Sequence, residues 1–114
     1  MTIFQPHRFS RLRNLFDDFL GAFDDTDVLY LLEVYAAGEE PIADVSGRRL
    51  YEGLRARGHV NVHYLGDETD PDLRLLRETA DGDLVITLGA GDVYKMGEGL
   101  LALLEESPKA DECA

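Results

Sequence analysis

With 114 residues, 45% of them apolar and 30% charged, the chain is sized for one soluble globular domain and no second. Its formal net charge of −12 excludes nucleic acid and anionic membrane surfaces as partners, since both require a positive face. The only cysteine, Cys113, excludes a disulfide framework, and no apolar run nears the ~20 residues of a membrane span, so a cytoplasmic location is expected.

Thr2 to Gln5 predicts a short strand that stops at Pro6, and a chain that starts inside a strand reads as cut mid-fold. Ser10 suits a helix N-cap, and Phe9, Leu12, Phe16, Phe19, Leu20 and Phe23 give one helical apolar stripe. After the turn at Asp24–Asp27, the nearly unbroken apolar run Val28–Val34 predicts a strand covered on both faces. Tyr35 to Ile42 is a loop broken by Gly38 and Pro41. Ser46 caps a helix that runs to Arg57, with Gly58 as its C′ residue. Val60, Val62 and Tyr64 alternate with polar residues, as in a strand near a sheet edge. Asp70-Pro71 starts a helix that ends near Ala80. Leu84 to Leu88 is a further buried strand, Gly89-Ala90-Gly91 a tight turn, and Asp92 to Glu106 the last helix. Residues 107–114 form a flexible tail behind a folded domain of residues 1–106.

Strands alternating with helices predict a three-layer α/β fold: a mostly parallel sheet, helices on both faces, right-handed crossovers. In such folds ligands sit at the carboxyl ends of the strands. Three unusual loops fall there: Pro6–Ser10, Tyr35–Ile42 and Gly89–Asp92.

No acidic residue precedes Asp17, so His7, Arg8 and Arg11 form a positive island on an acidic chain, at a strand-to-helix turn. Arg8 and Arg11, three apart, can reach one side of the helix start, and arginine grips carboxylate or phosphate through a planar fork. The plainer use of these cations is to neutralise Asp17 and Asp18. Gly89-Ala90-Gly91 resembles a phosphate turn, but Tyr94 stands where a dinucleotide fingerprint wants its third glycine, and Asp92 repels an anion while suiting an N-cap. Close approach of the glycine backbone to a ligand or a neighbouring domain is the better use. His59 and His63 share a strand face without a third ligand, which favours edge polarity over a metal site. Glu39 and Glu40 read as solvated carboxylates, and the chain alone has no visible reaction centre.

Three segments then carry a resemblance: Phe-Gln-Pro-His-Arg-Phe-Ser-Arg at 4–11, Asp27 to Ile42 with its Tyr-Ala-Ala-Gly-Glu, and Gly-Asp-Leu-Val-Ile-Thr-Leu-Gly-Ala-Gly-Asp at 82–92. In order and over nearly the whole chain they resemble the C-terminal domain of the Mur ligases, on the branch that adds L-alanine to UDP-N-acetylmuramate. The resemblance implies a dinucleotide-binding-like fold that closes over the ligase's own ATPase domain during peptidoglycan synthesis. It implies ATP and Mg2+ as cofactors of the full-length enzyme, an acyl phosphate attacked by the amine of L-alanine, and no cofactor on this chain alone. His7, Arg8 and Arg11 match the His-Arg-x-x-Arg segment facing the amino acid, and Tyr35, Gly89, Ala90, Gly91 and Asp92 line the same cleft.

The P-loop, the carbamylated lysine, the UDP-binding domain and the acidic-Tyr-x-His-His-Pro segment of that family are not in this sequence. A chain without turnover, and a homodimer through an exposed sheet edge, are therefore expected. The alternative is a non-catalytic acidic flavodoxin-like module that binds a small anion or a protein partner.

Overall fold

The computed structural model describes residues 1–106; the expected tail and Cys113 lie outside the described residues. Four short strands, β1 (Thr2–Phe4), β2 (Leu29–Leu31), β3 (Val62–Tyr64) and β4 (Ile86–Leu88), form one parallel sheet in the order β3-β2-β1-β4. The helices between and after them are α1 (Phe9–Asn14), α2 (Phe16–Ala22), α3 (Gly47–Arg57), α4 (Pro71–Glu78) and α5 (Tyr94–Glu106). The expected three-layer α/β architecture is therefore present.

Because side chains alternate along a strand, the sheet builds two cores. Leu29, Leu31 and Val62 face α1–α3 and pack with Phe9, Leu12, Phe23, Leu50 and Leu54. Ile3 and Tyr30 face α4 and α5 and pack with Leu75, Val93 and Leu100. A fully buried leucine such as Leu50 or Leu54 contributes about 1.5–3 kcal/mol over an exposed one.

Local signals placed both ends of α3 and the start of α4. Ser46 Oγ accepts from the Arg49 N–H at 3.1 Å, and Gly58 closes α3 with φ 111°. Asp70 Oδ1 accepts from the Leu73 N–H at 3.1 Å, with Pro71 opening α4.

Three expectations are corrected. Ser10 does not cap the first helix: Arg8 holds the cap position with φ 69°, and the helix breaks at Leu15 into α1 and α2. The strand over Val28–Val34 pairs only at Leu29–Leu31, because β1 offers three partners and Glu33 is used elsewhere. The strand over Leu84–Leu88 is not buried: Leu84, Ile86 and Leu88 are 71%, 43% and 42% exposed. It lies at the sheet edge, and only its Thr87 face meets a helix, at Gly97 of α5. The first strand, β1, is central and pairs on both sides, with β2 and β4.

Candidate functional site

The chain leaves β1 toward the α1–α3 face and leaves β4 toward the α4–α5 face, so the carboxyl ends of these neighbours form a topological switch point. Here the three predicted loops meet. The Arg8 N–H donates to Tyr35 O at 2.8 Å and the Tyr35 N–H to Pro6 O at 2.9 Å, which ties the loop after β2 to the turn after β1. The His7 and Tyr35 rings stack, 5.8 Å apart and 13° from parallel. A Cβ on Gly91 would stand 3.1 Å from the Tyr35 ring, and one on Gly89 would stand 2.8 Å from Val93 and 3.2 Å from Gln5 O. Both glycines thus allow close approach, but to the chain's own residues.

His7, Arg8 and Arg11 line one open depression of about 570 Å³ with Ser10, Asn14 and Leu15. Tyr35 and Asp92 line a neighbouring one of about 530 Å³, with Gln5, Asp72 and Lys95 among its walls. Gly89, Ala90 and Gly91 line neither. Tyr35, stacked on His7, is the link between the two depressions.

Arg8 and Arg11 are exposed, and neither forms an ion pair among the described residues. Asp17 and Asp18 do not pair with them. His7 Nδ1 is buried without a hydrogen-bond partner among the described residues, an arrangement that costs about 1–3 kcal/mol when nothing offsets it. In the second depression, burial pushes the Asp72 carboxyl above its ordinary value, and Asp70 adds to the shift.

Two carboxylates hold the loops: Glu33, just past β2, and Glu39, which was expected to be merely solvated. Glu33 Oε1 accepts from the Gly47 N–H at 2.6 Å, where the positive end of α3 favours an anion, and Oε2 accepts from the Tyr64 hydroxyl at 2.8 Å. A lone glutamate inside Leu-Leu-Glu-Val was the available signal, since a charge in a buried run needs a partner. Glu39 binds Ser10 twice, and no local pattern marked that pair.

The two histidines part company. His59 meets Asp24 at 3.1 Å, whereas His63 stacks on Tyr30 and contacts Arg74 at 3.2 Å. Among the described residues, no three His, Cys, Asp or Glu side chains converge as a metal site would require. No helix among them is long and apolar enough to cross a membrane.

No protein-family model matches the chain. It is 49% identical over 110 residues to a UDP-N-acetylmuramate–L-alanine ligase of Geobacter sulfurreducens, covering 96% of this chain and 24% of that protein. Ligases of the same name from Syntrophotalea carbinolica and Myxococcus xanthus are each 45% identical, over 93% and 98% of this chain and 23% and 24% of their own lengths. The chain therefore spans about a quarter of the relatives it matches, and the match falls in their C-terminal part. Identity of 45–49% over more than nine-tenths of its length places this chain with the C-terminal region of the UDP-N-acetylmuramate–L-alanine ligases.

Proposed function

We propose that this chain is the amino-acid-positioning domain of an ATP-dependent, cytoplasmic UDP-N-acetylmuramate–L-alanine ligase of peptidoglycan synthesis. The observation that carries the reading is the pair of guanidinium groups without an ion pair among the described residues, Arg8 and Arg11, beside His7 at the switch point. Two forked donors that form no ion pair among the described residues suit the carboxylate of L-alanine. Held there, the amino acid has its amine free to face a second substrate, and the gain comes from orientation. Tyr35, with Gly91 packed on its ring, gives the site a fixed wall.

These residues do not suit ATP or Mg2+. The room at the glycine turn is taken by Tyr35 and Gln5, and Asp92 stands beside it. In this reading ATP, Mg2+ and UDP-N-acetylmuramate are held by the ATPase and UDP-binding domains, over which this domain closes. The chain by itself should release no phosphate from ATP with both substrates present. The uncharged β4 edge, with Leu84, Ile86 and Leu88 exposed, also supports pairing with a second copy, which sedimentation of this chain against Ile86→Lys would check.

The deciding experiment is Arg11→Ala in the intact ligase. Removing an arginine–carboxylate contact worth about 1.5–3 kcal/mol should raise the alanine KM by one to two orders of magnitude and leave that for ATP nearly unchanged. Equal losses for both substrates would make Arg11 structural and favour the anion- or protein-binding module instead.

A further inference from the structure

Helix α1 is six residues long and begins without help from its own sequence, since Arg8 at the cap position provides no side-chain hydrogen bond. The first amides of a helix need acceptors from somewhere. Here they come from a residue 29 positions away: Glu39 Oε1 accepts from the Ser10 N–H at 3.1 Å and Oε2 from the Ser10 hydroxyl at 2.5 Å. The Ser10 hydroxyl first, then its amide, hold the Glu39 carboxyl below its ordinary value, and Arg8 adds to this.

The backbone is shaped to deliver that carboxylate. Ala37 and Gly38 both take positive φ, 52° and 88°, and the Glu39 N–H returns to Ala36 O at 3.1 Å. One loop thus grips the β1–α1 turn at two points, Tyr35 on His7 and Glu39 on Ser10. Arg8 lies between those points in the chain, and Arg11 follows the second directly.

We infer that Glu39 is a positioning residue for the amino-acid carboxylate: by fixing the first turn of α1 it aims Arg8 and Arg11. This rests on the reading that those arginines hold the carboxylate. Without the Glu39 clamp the His7–Tyr35 stack and the Tyr35 backbone bonds to Arg8 and Pro6 remain, but the first turn of α1 loses its outside acceptor, and the arginines it carries must be ordered at each binding event. The charge of Glu39 itself opposes an incoming anion, so its service lies in its hydrogen bonds. Glutamine, which keeps an acceptor for the Ser10 amide, should therefore serve nearly as well as glutamate.

The test is steady-state kinetics of the intact ligase with Glu39→Ala, Glu39→Gln and Arg11→Ala. Glu39→Ala should raise the alanine KM about tenfold, the loss of a charge-assisted contact, with those for ATP and UDP-N-acetylmuramate within about twofold. Glu39→Gln should restore the alanine KM to within about threefold of the parent. An alanine KM unmoved by Arg11→Ala overturns the carboxylate reading itself. If Arg11→Ala raises it but Glu39→Ala does not, or Glu39→Ala raises all three constants alike, the positioning role of Glu39 falls. Failure of glutamine to rescue falls on the same side. Should Glu39→Ala not fold, Ser10→Ala, which removes only the hydroxyl contact, must show a smaller shift in the same constant.

Discussion

Two groups of arginines on this domain meet opposite fates. Arg74, on α4, is enclosed by its own chain: Nη1 donates to Glu68 at 2.5 Å, Nε to Glu78 at 3.1 Å, and Nη2 contacts His63 Nδ1 at 3.2 Å. Glu78 also accepts from the Tyr30 hydroxyl, so the cluster reaches into the core beneath β2. Arg8 and Arg11, on a far more acidic molecule than they can neutralise, have no such enclosure. A cation tied to carboxylates from its own fold holds that fold together. A cation left to solvent at the carboxyl edge of a parallel sheet is available to something else.

The contrast breaks most visibly if Arg8 and Arg11 are both changed to alanine in the intact ligase. The alanine KM should rise more than a hundredfold, by two contacts each worth about 1.5–3 kcal/mol, while the melting temperature of this domain stays within a degree or two. A large fall in melting temperature would show that these arginines serve the fold after all. The converse change, Arg74→Ala, should cost about 1–3 kcal/mol of stability, several degrees of Tm in a domain of this size, and leave the alanine KM alone. Chemical denaturation of this chain measures the first, and kinetics of the intact enzyme the second.

The smallest effect is a pH dependence of the Arg74 cluster. Burial, then Arg74, hold the His63 imidazolium back, so its folded pKa lies below the ordinary 6.5 and the unfolded chain takes up the proton first. Stability should therefore begin to fall as the pH drops below about 6.5. Burial raises the Glu78 pKa, but Tyr30 and Arg74 outweigh it, and the net value lies below 4.5. Its contribution is present above that pH and is lost as the pH falls through the folded value, giving a second step. Thermal melts from pH 8 to about 3 should show both steps, and His63→Phe should abolish the first while keeping a ring against Tyr30.

What the sequence disclosed follows the range of the forces involved. Ser46, Gly58 and Asp70-Pro71 act within one helical turn, and each was legible because its partner lies three or four residues away. The long-range ties were not. Ser10 has the composition of a cap and the position of a clamped residue, because a carboxylate 29 residues on had already met the need. Leu84 and Ile86 have the composition of a covered strand, but cover depends on which strand ends up at the edge. At the site, the gathering of His7, Arg8 and Arg11 was visible as a charge anomaly. The stacking of Tyr35 on His7, and the packing of Gly91 on that ring, required the register of three strands to be known.

That register also governs how the polypeptide can fold. The strand at the heart of the sheet is the first of the four in chain order, and its second neighbour, β4, is the last: Met1 and Leu84, 83 positions apart, are joined by a hydrogen bond of 3.0 Å. On a ribosome adding about 5–20 residues per second, β1 waits at least four seconds for that neighbour. Until then half of its ladder is open to any passing strand. A domain wired in this way folds slowly, and its vulnerable period is the interval before its final hairpin-free closure.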